Sequence, residues 1–478
     1  MTDKLPLVVD IDGTFLKTDM LFEGFWLAMG KHPLETVKTA FAHVGNRARL
    51  KEEITRLAEI NVELLPVNPD IAEYMENAKA DGREVIFASA SNQVLVERLA
   101  EYHGIEGAHM GSDDTVNLSG KRKAQALNDR YGEGKYAYAG DQKLDLDVWR
   151  SAGEAIVVGH HPRQVKQLQD EGIGVVQLKK TWSRRSAAKG LRPHQWIKNV
   201  LLFLPLIAAH NLDPIALVRV VLAMAAFSAA ASSIYVVNDL LDLEADRLHP
   251  KKKFRPLASG NVRIPDAMLM SIALGLFALG VGFLLSWEVM AVVVLYMTVS
   301  LAYSLKLKKM RWVDIATLAT LYSLRVVVGG LAAEIVASGW MIAFIFPTFL
   351  ALGCVKRLTE LALAKTDGKV PGRGYSRNDR EDLLNMAGTG VVFSLLVFLV
   401  YSFSSTAFLL YTDVWMLRLA IIPLALWQIR MVLLGWQGKQ DYDPIVFAMT
   451  DRTGLAIMAV IVMILFYASG TIGSGGNL

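Results

Sequence analysis

Two architectures are predicted in one chain. An α/β doubly wound parallel sheet with a small helical cap comes first, and an all-α polytopic membrane domain of nine transmembrane helices follows. Three observations carry this. The 478 residues are 53% hydrophobic with mean hydropathy +0.33, too apolar for an ordinary soluble protein, and the surplus lies from about residue 199 onward. Residues 1 to about 178 instead alternate short apolar runs with helical stretches, the pattern of a parallel sheet. Lys and Arg crowd alternate loops of the apolar part, as in a multi-pass membrane protein. The implied division is 1–178, a basic juxtamembrane linker at 179–198, and 199–478.

The first element is LPLVVDIDGTFLKTD: a buried strand, Leu7 to Val9, running into Asp10, Asp12, Gly13 and Thr14. A carboxylate at a strand's C-terminal end can attack a phosphoryl group, and a second carboxylate two residues on can protonate the leaving oxygen and then activate water. Read alone, Asp-Gly is an ordinary turn. Further signals accompany it. Residues 20–80 are mostly helical in pattern, and EVIFASAS at 84–91 gives a second buried strand ending in Ser89. NLSGKRKAQAL brings Lys121 and Lys123 into a helix, KYAYAGDQKLDLDVW gives a third strand ending in Gly140-Asp141 with Asp145 four residues on, and AIVVG at 155–159 gives a fourth. Parallel α/β sheets bind ligands at strand C-termini, where these polar residues fall. His160 and His161 follow the last of these strands and read as surface residues.

With those motifs in place, residues 5–178 resemble the haloacid dehalogenase-type phosphatase superfamily. The resemblance implies Asp10 as nucleophile, Asp12 as general acid/base, Ser89 as a phosphate contact and Lys123 as the phosphate-binding cation. It also implies Mg²⁺ anchored by Asp141 and Asp145 together with Asp10 and Asp12; Ser91 and Lys121 are alternatives for the hydroxyl and the cation. The insert at about 16–80 matches that superfamily's small cap, and every catalytic position holds a competent residue, so an active phosphatase is expected.

The linker, KKTWSRRSAAKGLRPHQWIK, carries seven Lys or Arg before the first apolar run and reads as a cytoplasmic, membrane-hugging segment. Apolar runs follow at about 199–210, 214–237, 264–286, 288–305, 312–333, 335–355, 385–411, 413–435 and 446–469, nine spans in all. Basic loops after the second, fourth, sixth and eighth place the N-terminal domain in the cytoplasm of a plasma (inner) membrane and the C-terminus outside. The net charge of +4 calls for no nucleic-acid partner, since the bases sit beside spans. The lone cysteine, Cys354, allows no intramolecular disulfide. No basic n-region with an apolar h-region opens the chain, so no cleaved signal is expected.

Residues 238–260, NDLLDLEADRLHPKKKFRPLASG, concentrate the transmembrane part's chemistry. If the preceding helix continues, Asp239, Asp242 and Asp246 at i, i+3 and i+7 project from one face behind Asn238. Mg²⁺ completes such an oxygen set with water and substrate phosphates, while Lys253 and Arg255 supply the positive charge a diphosphate needs. Asp314 and Arg325 fall inside the fifth apolar run, and Lys356, Arg357 and Glu360 end the sixth. Intramembrane ionisable groups are functional candidates, with an Asp314–Arg325 ion pair as the structural alternative.

Together these features resemble the UbiA-type prenyltransferase superfamily over about residues 187–470, whose first acidic motif binds Mg²⁺ and a donor diphosphate. Leu318 stands where a second acidic motif would place its second acid. With RPHQWIKN at 192–199, YSLKLKK at 303–309 and VKRLTE at 355–360, the chain is similar to the decaprenyl-phosphate phosphoribosyltransferase branch. That implies 5-phosphoribosyl diphosphate as donor and a polyprenyl phosphate lipid as acceptor in the bilayer. Arg192, Lys198, Lys253, Arg255, Lys306, Lys308, Arg325, Lys356 and Arg357 become candidate phosphate ligands. The N-terminal phosphatase would then remove the ribose 5-phosphate. The alternatives are a polyprenyl diphosphate-dependent aromatic prenyltransferase and a non-catalytic transporter or receptor with an attached phosphatase. A homo-oligomer is left open.

Overall fold

Successive residues of each N-terminal strand point into opposite layers, and that alternation builds the first part of the molecule. In the computed structural model, which describes residues 4–113, 116–179, 184–211, 213–335, 338–363, 374–440 and 443–470, six parallel strands form one sheet. They are β1 (Leu7–Val9), β2 (Val85–Asn92), β3 (Met110–Ser112), β4 (Ala137–Gly140), β5 (Glu154–Val158) and β6 (Gly174–Leu178), in the order β3-β2-β1-β4-β5-β6. Leu7, Val9, Phe87 and Ile156 pack into one core layer, Val8, Ile86, Tyr138 and Val157 into the other. The crossover order reverses between β1 and β4, so the crevice at their C-terminal ends is the topological switch point.

Four helices lie between β1 and β2: α1 (Met20–Lys31), α2 (Pro33–His43), α3 (Arg47–Ala58) and α4 (Pro69–Ala80). Asp19 caps α1 by accepting from the backbone N–H groups of Leu21 (2.9 Å) and Phe22 (3.3 Å). Beyond β2 come α5 (Gln93–Tyr102), α6 (Lys121–Tyr131), α7 (Leu146–Ser151) and α8 (Pro162–Asp170). β3 and β6 add to the four strands read from sequence. β3 is the three residues Met-Gly-Ser, without an apolar run, and β6 is a half-exposed edge.

The chain divides into two compact units: residues 1–191 with 235–271, and 192–234 with 272–478. The first therefore includes the end of the long helix Pro214–Leu241, the acidic segment, and the start of the helix Ile264–Leu285. Trp26 of α1 shares an apolar cluster with Val236, Leu240, Leu243, Leu257, Val262 and Ala267. A buried ion pair joins Glu23 of α1 to Arg247 (2.5 Å), and Arg247 also donates to the Ala258 carbonyl (3.0 Å). Gly260 has φ +70, and a Cβ there would stand 2.5 Å from the Cβ of Lys17, so backbone and cap meet where only glycine fits.

The acidic stretch departs from the continuous helix its spacing suggested. The long helix ends at Leu241, Asp242 takes φ −102 and ψ 15, and a short helix resumes at Leu243–Leu248. The bonds from Asp242 N–H to the Asn238 carbonyl (3.0 Å) and from Asp246 N–H to the Asp242 carbonyl (2.8 Å) carry the turn across the break.

Among the described residues, seven helices are long and apolar enough to cross a membrane: Pro214–Leu241, Ile264–Leu285, Trp287–Leu305, Val313–Ala332, Gly339–Leu363, Arg377–Tyr401 and Val414–Trp436. Arg452–Ala468 is a shorter apolar helix. The first apolar run of the sequence instead forms a 3₁₀ helix, Pro193–Phe203, followed by the short α-helix Leu204–Ala208.

Candidate active sites

At the switch point, the turn after β1 lays Asp10 against residues from two other elements. Lys123, in the first turn of α6, donates to Asp10 Oδ1 (2.9 Å) and to the Tyr138 hydroxyl (2.8 Å), and Tyr138 donates to Asp145 Oδ1 (2.9 Å). The other oxygen of Asp145 accepts from the backbone of Asp141 (3.1 Å) and Gln142 (2.9 Å). All of these side chains are buried. Carboxylate oxygens of Asp10, Asp141 and Asp145 lie within 4.8 Å of one another. Three converging hard oxygen ligands suit Mg²⁺. Gly13, at φ +80, is part of the fit, because a Cβ there would stand 2.5 Å from Asp141 Oδ2.

The four residues have coupled charges. Burial, opposed by Lys123 and reinforced by Asp145 and Asp12, raises the Asp10 carboxyl to about 7. Burial alone would lower Lys123, but Asp10 and Asp145 outweigh it and the ammonium is held more tightly than usual. Burial raises Tyr138 well above the ordinary phenol range, and Asp10 adds to the rise, so the hydroxyl stays a donor.

Asp12 stands apart from the metal-competent trio. Its Oδ1 accepts from the Met20 N–H (2.8 Å), and its Oδ2 accepts from the Ser91 hydroxyl in a short bond. Ser89, fully buried in β2, accepts from the Ser91 N–H (3.1 Å), so the two candidate serines lie side by side at the end of that strand.

Sequence reading missed Lys51. It comes from α3, and its ammonium donates to the Ala90 carbonyl (2.5 Å) and to Asn117 Oδ1 (3.1 Å), over the end of β2. Burial lowers its pKa although Asp12, Asp19 and Asp10 pull the other way. Asp19 beside it is raised to about 7, first by burial and then by Asp12. A single Lys in the charged helix RARLKEEITRLA carries no local signal of this placement.

In the acidic segment, Asp239 and Asp246 converge on one guanidinium. Arg255 Nη1 lies 3.1 Å from Asp239 Oδ1 and 2.5 Å from Asp246 Oδ2. The donor pair fits a cation, and Arg255 is the cation it holds here. Asp242 is half-buried at the break between helices, and Lys253 is exposed with its ammonium over the Phe254 ring. Among the described residues, Asn238, Asp239, Asp242 and Asp246 do not make a ready metal cluster; the aspartates at 10, 141 and 145 do.

In the second unit, the ionisable candidates read from the apolar runs fall into three of its polar clusters. Asp314, fully buried, pairs with Arg357 in a two-pronged contact (2.6 and 2.9 Å), with the Tyr303 hydroxyl bonded to both and Glu360 on the other side of the guanidinium. The partner of Asp314 is thus Arg357 rather than Arg325, because residues eleven apart on one helix are separated by about three turns. Arg325 donates to Asn199 Oδ1 (3.0 Å) and to the Leu321 carbonyl (2.6 Å), among the rings of Phe227, Tyr296 and Tyr322. In the third cluster Lys198 and Lys356 share Asp443, with Lys198 in the closer contact. Asp443 was not read from the sequence, since an isolated Asp-Pro in a loop looks like an ordinary helix start. Leu318 is buried beside Tyr322 and Phe349, so the position in question for a second acid is apolar. Arg192 is half-buried with φ +52; Lys306 is exposed and Lys308 half-buried beside the 3₁₀ turn Leu307–Lys309.

The profile of the UbiA prenyltransferase family matches residues 200–450. An uncharacterized protein, y4nM, of Sinorhizobium fredii is 31% identical over 464 residues, covering 96% of this chain and 90% of that one. The decaprenyl-phosphate phosphoribosyltransferase of Mycobacterium tuberculosis is 37% identical over 185 residues, 38% of this chain and 61% of that one. A UbiA homolog from Archaeoglobus fulgidus, solved bound to DMAPP and Mg²⁺, aligns with a TM-score of 0.46 at 16% identity, over 59% of this chain and 98% of that one.

Proposed function

The chain belongs to the UbiA prenyltransferase family, and from that premise we propose that it is a bifunctional membrane enzyme. One activity transfers 5-phosphoribosyl from 5-phosphoribosyl diphosphate to a polyprenyl phosphate. The other, in the N-terminal α/β domain, is a haloacid dehalogenase-type phosphatase that removes the 5-phosphate to leave polyprenylphosphoryl ribose. The membrane would be the plasma (inner) membrane, crossed nine times if the segments at 199–208 and 452–468 count as short spans. The N-terminal domain and both sites would then be cytoplasmic, with the C-terminus outside.

The transfer half is supported by the decaprenyl-phosphate phosphoribosyltransferase relative and by the burial of Leu318 in an apolar cluster. An aromatic prenyltransferase with a second acidic pair needs an acid there. In the transfer, the C1–O bond to the diphosphate breaks while an oxygen of the lipid phosphate bonds to C1, and the diphosphate leaves with both electrons. A phosphate monoester anion is already a nucleophile, so no strong base is required. Asp239, Asp242 and Asp246 would hold Mg²⁺, which supplies charge neutralisation to the departing diphosphate. Arg255 would exchange its carboxylates for phosphate oxygens, with Lys253 beside it in sequence. Among Arg192, Lys198, Lys306, Lys308, Arg325 and Lys356, the Lys198–Lys356 pair is best suited to a phosphate, which would compete with Asp443 for two cations already gathered. Arg357, already matched by carboxylates, serves to position Asp314.

The observation that carries the hydrolase half is the buried set of Asp10, Lys123, Asp141 and Asp145 at the switch point. An Asp10 oxygen attacks phosphorus and the P–O bond to the ribose oxygen breaks. Asp12 protonates that oxygen, then takes a proton from the water that hydrolyses the aspartyl phosphate. Asp10, Asp141 and Asp145 would anchor Mg²⁺, which shields the phosphate's negative charge from the attacking carboxylate. Lys123 and the Ser89–Ser91 pair would hold the phosphate oxygens.

The test supplies reconstituted protein with Mg²⁺, polyprenyl phosphate and 5-phosphoribosyl diphosphate labelled in the ribose. Label entering the lipid phase is expected, and Asp10→Asn should make the 5-phosphorylated lipid accumulate. An unchanged product with Asp10→Asn would overturn the coupled hydrolase. Absence of lipid label, with transfer from polyprenyl diphosphate to an aromatic acid instead, would overturn the phosphoribosyl reading.

A further inference from the structure

Outside both candidate sites, α2 has a surface that a water-facing helix does not need. Leu34, Phe41 and Val44 are 78%, 79% and 77% exposed and Val37 is 40% exposed. At 100° per residue these positions fall within an arc of about 80°. The opposite side of the helix is anchored inward through Thr36, which is fully buried and bonds the His32 carbonyl (2.8 Å). Isolated exposed apolar residues need no explanation, but a contiguous stripe on one helix face marks a contact surface.

Charge and position select the occupant. Between residues 33 and 50, Lys38, Arg47 and Arg49 are exposed against a single acid, Glu35, the composition of a surface attracted to anionic lipid headgroups. The unit that carries α2 also contains the last turns of the helix Pro214–Leu241 and the first turns of Ile264–Leu285, both apolar enough to be spans. Phe22, Phe25 and Met29 of α1 pack against the same apolar cluster as Val237 and Leu241, and a Cβ on Gly30 would stand 3.7 Å from the Leu241 carbonyl. The candidate span Pro214–Leu241 ends at that contact, and α2 begins three residues after Gly30.

We propose that α2 is an interfacial helix: Leu34, Val37, Phe41 and Val44 sit in the headgroup–acyl boundary of the chain's own bilayer, with Lys38, Arg47 and Arg49 among anionic headgroups. This goes beyond the reactions assigned above and requires neither of them. Its effect is to hold the cap of the N-terminal domain at the lipid surface, where a phosphorylated lipid headgroup is presented.

The test places a bimane label on Phe41→Cys in the full-length protein; the native Cys354 is buried and stays unlabelled. Gln169→Cys on α8, also exposed, is the control. In nanodiscs containing phosphatidylglycerol, brominated acyl chains are expected to quench the label at 41 several-fold more than at 169. Lys38→Glu with Arg47→Glu should lower that quenching. Equal quenching at 41 and 169 would overturn the proposal. So would a label at 41 that is shielded from water yet unquenched by brominated lipid and in energy transfer with a second protomer, because the stripe would then be a contact between copies.

Discussion

Removing the Glu23 carboxylate should loosen the acidic segment from α1. Glu23 and Arg247 contact each other at 2.5 Å with side chains 5% and 6% exposed, so solvent screens them little. Thr18 also donates to Glu23 (2.7 Å). In Glu23→Ala the Arg247 guanidinium keeps, among the described residues, the Ala258 carbonyl but no carboxylate and stays buried, a situation that costs about 3–5 kcal/mol. At 1.4 kcal/mol per tenfold, that is roughly two to three and a half orders of magnitude in the local opening equilibrium. Hydrogen exchange on the full-length protein reads it directly: amides in 20–31 and 236–248 should lose protection together while β1 and β4 keep theirs. Glu23→Ala with Arg247→Ala removes both charges and should cost less than the sum of the single changes. Unchanged exchange in 236–248, or strict additivity of the pair, would refute the reasoning.

Gly13→Ala should abolish metal-dependent phosphatase activity while leaving lipid labelling by the transferase intact, because the added methyl would lie 2.5 Å from Asp141 Oδ2 at a φ of +80; retained hydrolysis would show that the turn adapts. If the Lys51 ammonium, which α3 places over the end of β2, meets the phosphate and not the reacting atoms, Lys51→Ala should raise the KM for the phosphorylated lipid by about tenfold or more with a smaller change in kcat; a change in kcat alone would move Lys51 into the chemistry. Asp314→Ala leaves the fully buried Arg357 with Glu360 and the Tyr303 hydroxyl but without the acceptor of its two-pronged contact, and should destabilise the second unit by about 1–3 kcal/mol, seen as a fall in apparent Tm in detergent, whereas Asp314→Asn should be milder because the amide oxygen still accepts one bond.

What could be read in advance follows from how local each signal is. The DIDGT turn, Lys123 at a helix start and Asp141 after a strand are each placed by three or four adjacent residues, so their meeting at the switch point follows once the strands are parallel. Lys51, Tyr138 and Asp443 act through partners 39 or more, seven and 245 residues distant, respectively. Nothing in the helix or strand that bears each one announces the partner. The break at Asp242 was hidden for a different reason. Carboxylate spacing of i, i+3 and i+7 describes a straight helix, whereas Arg255, nine residues beyond Asp246, draws Asp239 and Asp246 onto one nitrogen and depends on the intervening loop for its position. Apolar periodicity reveals which helices are buried, but not which end of a helix folds with another part of the chain.

That last point decides how the two proposed activities can be separated. Residues 235–271 share their apolar cluster and the Glu23–Arg247 pair with the N-terminal α/β elements. Deleting the N-terminal domain would therefore expose Val236, Leu240 and Leu243, leave Arg247 without Glu23, and disturb the carboxylates proposed to hold the donor diphosphate. Loss of transfer after such a deletion would not identify a catalytic contribution from the phosphatase, because the acidic segment would have lost its packing as well. A point change at Asp10 leaves that cluster and ion pair in place. It removes the nucleophile, the charge facing Lys123 and one carboxylate of the candidate metal trio, all inside the α/β site, so lipid labelling measured in Asp10→Asn reports transfer with the acidic segment still folded.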